Sequence, residues 1–179
     1  CPVCGDFIDD NTKVYINQLM NIINIEGKKC VEIGSGTGEC SFLLKKNGAT
    51  AEVLDYAKML IPCWKKFGLK YTIADAANTP FKDNTFDLVW NAGVLEHFDA
   101  PEDILNEMKR ICKIGGTVCV FVPYIFDWTA HLQLYGKENI FRKKSLIRLF
   151  KKCGFSDVKT KPMWALGGMI MCGWANKRN

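Results

Sequence analysis

Cys30-Val31-Glu32-Ile33-Gly34-Ser35-Gly36-Thr37-Gly38 is the stretch on which the reading of this 179-residue chain turns. A short, mostly apolar run leads into three glycines within five positions, and a helical pattern follows to about Lys46. Glycines at such a turn leave no Cβ in the way, so backbone can approach a ligand closely. The helix that opens next offers N–H groups with no partner inside the helix. The stretch therefore reads as strand, ligand-cradling loop and helix. Alone, a Gly-x-Gly-x-Gly loop fits many nucleotide binders and also a plain connecting turn. Asp55 sharpens it. It ends a second strand, Ala51-Glu52-Val53-Leu54, and lies 21 residues beyond Gly34, the spacing at which a carboxylate grips a ribose diol. Asp75 follows a third strand, Tyr71 to Ala74, and can accept a hydrogen bond from an adenine amino group.

Outward from this loop, apolar runs alternate with helical patterns, which predicts an α/β fold with a mostly parallel sheet. Tyr15, Leu19, Ile22 and Ile23 share one face of an opening helix, and Met59, Leu60, Cys63, Trp64 and Phe67 share one face of a later one. Phe86 to Trp90 reads as a fourth strand. Pro101 suits the first turn of a helix that carries Ile104, Leu105, Met108, Ile111 and Cys112 inward, with Gly115-Gly116 as its stop. Thr117 to Val122 reads as a buried strand, and a long connection runs from Pro123 to about Ile140. A helix at 143–152 and two strands, Phe155 to Lys161 and Met169 to Ala175, close the chain as an antiparallel pair.

Composition bounds the class. At 48% apolar and 24% charged the chain is globular, and a chain of this length makes one domain, 1–179. No stretch approaches the ~18 uninterrupted apolar residues of a membrane-spanning helix. A net charge of +5 is too mild to argue for nucleic acid, and the basic run Arg142, Lys143, Lys144, Arg148, Lys151, Lys152 reads as a solvated helix face. Nine cysteines include seven set singly in apolar patterns, Cys63 among them, which is how buried thiols look and which implies a reducing, cytoplasmic setting. Cys1-Pro-Val-Cys4 resembles one knuckle of a zinc ribbon. A tetrahedral site needs four ligands and no second pair exists, so it reads as a remnant or half of a shared site, and no metal is expected within the chain.

The phrase from Asn78 to Val89 (Asn-Thr-Pro-Phe-Lys-Asp-Asn-Thr-Phe-Asp-Leu-Val), then Asn91-Ala92-Gly93-Val94-Leu95-Glu96-His97-Phe98, then Pro101 to Leu105 and the Lys113-Ile114-Gly115-Gly116 turn, complete four ordered motifs. Together with the glycine loop they resemble the class I S-adenosylmethionine-dependent methyltransferases, in particular the small-molecule branch related to quinone-biosynthesis enzymes. The resemblance is close over 30–122 and loose beyond. It implies a Rossmann-like three-layer sandwich with a seven-stranded, mostly parallel sheet and a C-terminal antiparallel hairpin. Within the one domain it implies a knuckle and opening helix at 1–26, a cofactor-binding half at 27–122 and an acceptor-side half at 123–179.

Position by position, the resemblance implies that Glu32 anchors the loop and faces the methionine ammonium group. Gly34, Ser35, Gly36 and Gly38 pass beneath the methionine part. Asp55 holds the ribose hydroxyls, Tyr56 packs on adenine, Asp75 and the Ala76 N–H read the adenine edge, and Asn91 offers its carbonyl to the ammonium group. S-adenosylmethionine is the implied cofactor and S-adenosylhomocysteine the product. His97 is the first candidate for a general base, with a structural His as the alternative, and His131 is the second. Tyr124, Phe126, Trp128, Tyr135 and Phe141 read either as a wall of the acceptor pocket or as a loop packed on its own side chains.

Absent motifs narrow the chemistry. Asn91-Ala92-Gly93 is not the Asn/Asp-Pro-Pro-Tyr/Phe of amino-group methylation, no Pro-Cys nucleophile follows the fourth or fifth strand, and no Asp…Asp-Asn set offers magnesium ligands. The leading expectation is methyl transfer to a small-molecule acceptor, with a second subunit or residues before Cys1 able to complete the acceptor site. An NAD-dependent oxidoreductase is the alternative enzyme, weakened by Glu39 where a third glycine would fall. A non-catalytic methyltransferase-fold subunit that only binds cofactor is the other.

Overall fold

Strands form where apolar and β-branched residues run between glycine turns, and helices where apolar residues recur at 3.6-residue spacing. The computed structural model describes residues 10–124, 141–165 and 168–178. In chain order the elements are α1 (Asp10–Ile22), β1 (Lys29–Ile33), α2 (Glu39–Lys46), β2 (Thr50–Asp55), a 3-10 turn (Lys58–Leu60) leading into α3 (Ile61–Lys66), and β3 (Lys70–Ile73). There follow β4 (Phe86–Ala92), a second 3-10 turn (Leu95–His97), α4 (Pro101–Ile111), β5 (Cys112–Pro123), α5 (Lys143–Lys152), β6 (Lys159–Ala165) and β7 (Gly168–Asn176).

The seven strands form one sheet in the order β3-β2-β1-β4-β5-β7-β6. β1 to β5 pair in parallel, and β7 runs antiparallel to both β5 and β6. The sheet is a three-layer sandwich's middle layer. Val31, Ile33, Val89, Val118 and Val120 pack on one face against α4 and α5. Cys30, Val53, Trp90, Cys119 and Phe121 pack on the other against α1, α2 and α3. Central strands covered on both faces account for their nearly continuous apolar sequence. Pro101 occupies the first turn of α4, whose acidic first turn and basic last turn both suit the helix dipole.

Four expectations are corrected. Gly115-Gly116 does not end α4, which stops at Ile111 and passes directly into β5. The pair belongs to β5, where the register with β4 shifts between Phe86 and Leu88. A Cβ on Gly116 would lie 2.8 Å from Cys112 Sγ and 2.9 Å from the Lys113 carbonyl oxygen, so glycine serves a strand irregularity. Met59 does not face the core. It is 71% exposed, because the 3-10 turn before α3 breaks the 3.6-residue period. Phe155 does not begin a strand. It is buried against Phe150, with ring centroids 5.3 Å apart, and β6 starts at Lys159.

The cysteines supply the fourth correction. Cys30, Cys112, Cys119, Cys153 and Cys172 are buried thiols, and burial pushes those of Cys30 and Cys112 up to about 12, which keeps them unreactive. Cys63, however, is buried and disulfide-bonded. That bond corrects the reading of Cys63 as a free buried thiol.

Candidate active site

The parallel strands deliver the residues that follow them to one edge of the sheet. β1 and β4 are neighbours whose chains leave to opposite faces, toward α2 and α4, and a crevice opens where such connections part. Here a cleft of about 640 Å³ is lined by Gly34, Leu54, Asp55, Tyr56, Ala74 to Ala76, Gly93, Val94, His97 and Phe98. Segments after four different strands thus converge, as the fold places them.

The glycine loop is held from below. Gly34 N–H and Ser35 N–H donate to the Leu54 carbonyl at 2.7 and 3.2 Å, and Gly38 N–H donates to the Ser35 carbonyl at 3.0 Å. Trp64 Nε1–H, from fully buried Trp64 on α3, donates to the Gly36 carbonyl at 2.8 Å. The Asp55 carboxylate spans the loop and its own strand end. Oδ2 accepts Gly36 N–H and Oδ1 accepts Ala57 N–H, both at 3.0 Å. Each oxygen retains a second acceptor site toward the cleft.

Glu32 is buried beneath the loop. Its Oε2 accepts Ser41 Oγ–H at 2.6 Å and Ser41 N–H at 3.2 Å in the first turn of α2. Burial pushes its carboxyl up to about 8; the two Ser41 bonds pull the other way, and Asp55 and Glu39 add to the rise. The residue ties β1 to α2 across the loop.

Asp75, also in the cleft lining, is exposed, its Oδ1 accepting Ala77 N–H at 2.8 Å, which orients the carboxylate in a tight turn. Tyr56 is 81% exposed and offers its ring to the cleft. His97 also lines the cleft and is exposed. The side chain of Asn91 is not brought there. It is fully buried toward α4, with Nδ2 3.3 Å from Met108 Sδ and Oδ1 without a hydrogen-bond partner. Strand alternation is the reason: Trp90 faces α1 to α3, so Asn91 must face α4.

His131, Phe126, Trp128 and Tyr135 lie outside the described residues, as do Cys1 and Cys4. Tyr124 and Phe141 are paired by a bridge, Phe141 is buried and Tyr124 packs against the same core, so these two aromatics serve packing. The sequence reading missed Trp64 and Ser41 as supports of the loop. Their distances along the chain, 28 residues from Gly36 and 9 from Glu32, carry no local signal. Among the described residues no group of three or more His, Cys, Asp or Glu could hold a metal ion. No helix among them is long and apolar enough to cross a membrane.

Two features test the fit of S-adenosylmethionine. Ser35 Oγ is buried in the loop without a hydrogen-bond partner, and a Cβ on Gly36 would meet nothing within 4 Å. The loop therefore presents a polar atom awaiting a partner and open space where a ligand can touch backbone. With a diol-sized carboxylate at Asp55 and an acceptor at Asp75, the cleft fits an adenosine-containing ligand.

Fold and site define a Rossmann-like domain with a nucleoside cleft at its topological switch point. Residues 31–120 match the family model described as a methyltransferase domain, and the chain belongs to that family, as a class I S-adenosylmethionine-dependent methyltransferase. Its cofactor is S-adenosylmethionine and its product S-adenosylhomocysteine. It is similar to 2-methyl-6-phytyl-1,4-hydroquinone methyltransferase 1 of Oryza sativa, chloroplastic, at 30% identity over 164 residues, 81% of this chain and 48% of that protein. The chain thus spans about half of the rice enzyme's length. It is similar to the ubiquinone/menaquinone biosynthesis C-methyltransferase of Desulfotalea psychrophila at 28% identity, covering 82% of this chain and 72% of that one. The crystal structure of magnesium protoporphyrin IX methyltransferase from Synechocystis with bound S-adenosylhomocysteine shares the fold, with a TM-score of 0.77, 14% identity and coverage of 99% and 92%. The oxidoreductase alternative is set aside by the family match.

Proposed function

We propose that the chain methylates a small, planar, partly apolar acceptor of the hydroquinone type. The observation that carries this is that one cleft is lined both by the carboxylates Asp55 and Asp75 and by the apolar Val94 and Phe98 with His97. The rice and Desulfotalea relatives, named for quinone substrates, support the acceptor class. S-adenosylmethionine supplies an already activated methyl group on a cationic sulfur, so what remains for the chain is positioning, water exclusion and a proton.

In this reading Asp55 accepts the ribose hydroxyls, Tyr56 stacks on adenine, and Asp75 with the Ala76 N–H reads the adenine edge. The loop from Gly34 to Gly38 passes under the methionine part and Glu32 meets its ammonium group. Asn91 can take part only through its main-chain carbonyl. Phe98 and Val94 flank the acceptor ring. The ring's nucleophilic atom displaces sulfur from the methyl carbon, and the proton the acceptor must lose passes to His97.

The test is a methyl-transfer screen over hydroquinones and other aromatic metabolites, read by release of S-adenosylhomocysteine. Turnover on a lipophilic hydroquinone is expected. Replacing His97 with Ala should leave S-adenosylhomocysteine affinity within about threefold, ~0.7 kcal/mol, and lower turnover at least tenfold. Transfer confined to nucleic acid or protein substrates would remove the acceptor assignment.

A further inference from the structure

The outer side of α5 is uniformly cationic. Leu146, Leu149 and Phe150 are buried, while Lys143, Lys144, Arg148, Lys151 and Lys152 are exposed, and the helix contains no acidic residue. Lys152 pairs with Glu102 of α4 at 2.6 Å. Lys143, Lys144, Arg148 and Lys151 make no ion pair among the described residues. Helix stability does not account for this pattern. Lys143 and Lys144 open the helix, where the dipole is positive and cations are disfavoured.

Trp164 stands beside this face. It is 64% exposed on β6, the edge strand that α5 adjoins. Met163 and Ala165 pack with the α1–α3 side of the core, so alternation turns Trp164, and Pro162 with it, to the α5 side. β6 runs parallel to β1 through β5, so Trp164, near its end, lies at the same edge of the sheet as the cleft. An exposed indole on the same side of the sheet as unpaired cations is the combination that settles at a lipid headgroup layer, the ring among headgroups and the cations on anionic lipid.

We infer that the α5 face and the β6 edge dock this protein on an anionic lipid surface, with the cleft edge held beside that surface. Nucleic acid is disfavoured as the occupant. Strand binding calls for aromatic platforms interleaved with cations along a groove. Here the cations run along α5, and Trp164 on β6 is a single exposed ring, not a row of rings interleaved with them. The inference needs no particular acceptor, so it stands or falls separately from the function proposed above.

The experiment is co-sedimentation of the full chain with phosphatidylcholine vesicles, with and without phosphatidylglycerol, over a salt series. Binding is expected only with the anionic lipid and should weaken as salt rises. The combined Lys144→Gln, Arg148→Gln, Lys151→Gln variant should bind about a hundredfold more weakly, at roughly fivefold per cation. Trp164→Ala should lower binding several-fold with the salt dependence retained. Both variants should keep wild-type affinity for S-adenosylhomocysteine, which shows that they fold. Equal binding to neutral vesicles, salt-independent binding, or an undiminished triple variant would overturn the inference. So would binding of poly-uridylate without binding of vesicles.

Discussion

Gly34, Gly36 and Gly38 all have positive φ, at +67°, +51° and +83°, yet they serve different ends. A Cβ on Gly34 would come within 2.5 Å of Val94 Cγ2, and one on Gly38 within 2.9 Å of Trp64 Cδ1, so both glycines are required by the protein's own packing. Gly36 faces open space, so in the function proposed above it is the ligand and not packing that asks for glycine there. Gly34→Ala should therefore destabilise the fold by about 2–4 kcal/mol, from steric overlap plus left-handed strain. Gly36→Val should lose only about 1–2 kcal/mol but at least tenfold in S-adenosylhomocysteine affinity. Urea unfolding and calorimetry separate the two; a folded Gly36→Val protein that binds normally would refute the loop assignment. Glu32 titrates in the opposite sense to most structural carboxylates. Its folded value near 8 exceeds the ordinary 4.5, so the folded state holds the proton more tightly. Its contribution to stability is fully present below about pH 4.5 and is lost as pH rises through 8. Glu32→Gln keeps an acceptor for Ser41 and removes the titration. Relative to wild type the variant should gain a few kcal/mol between pH 5 and pH 9, read from unfolding at the two values.

At the scale of elements, the segment between β3 and β4 is fastened to α4 by one network. Glu107 Oε1 accepts Thr79 N–H at 2.8 Å and Thr79 Oγ1–H at 2.6 Å, while Arg110 donates to Glu107 and reaches Asp83 at 2.6 Å. Burial raises the Glu107 carboxyl, but Arg110 and Thr79 overcome it and hold the group below the usual carboxylate range. Arg110→Ala leaves that carboxylate half-satisfied, and partial exposure limits the cost to about 1–3 kcal/mol. The gap between wild type and variant should narrow as pH falls through the carboxylate range, because the contribution is present only while Glu107 is ionised. A pH-independent gap would assign the loss to packing alone. Nothing local announces this network, because Thr79 and Glu107 are 28 residues apart. What was legible were elements with strong periodicity, such as α4, whose four inward apolar residues Ile104, Leu105, Met108 and Ile111 are all buried. Glycine was the ambiguous sign. Gly115-Gly116 has the look of a helix stop, yet it serves a strand irregularity, and the two uses share one sequence. The face of Asn91 was unreadable for a related reason: in a strand buried on both sides, apolar residues line both faces and give no parity.

At the scale of the whole molecule, the cofactor side of the cleft was legible because its parts follow four strands whose order the fold dictates. The acceptor side was less so. Tyr124 and Phe141 show why, since an aromatic in a connection can equally serve the core. A ligand held by segments after β1, β2, β3 and β4 ties half the sheet together, so binding should stabilise the entire domain. S-adenosylhomocysteine at about a hundred times its dissociation constant adds ~2.7 kcal/mol. That should raise the melting temperature by roughly 5–10 °C for a domain of this size. A melting temperature unmoved by saturating ligand would argue against a site built from four strands. The sheet order has one further consequence, which concerns time. β7 follows β6 in the chain, yet it lies between β5 and β6, and β6 has no other neighbour among the described strands. During synthesis β6 leaves the ribosome before the strand that must hold it. Its pairing waits for β7, which in turn pairs Asn176 with Thr117, 59 residues earlier. Such distant contacts form slowly, so the edge made by β6 and β7 is set to close late, once the parallel strands that carry the cleft are already in place.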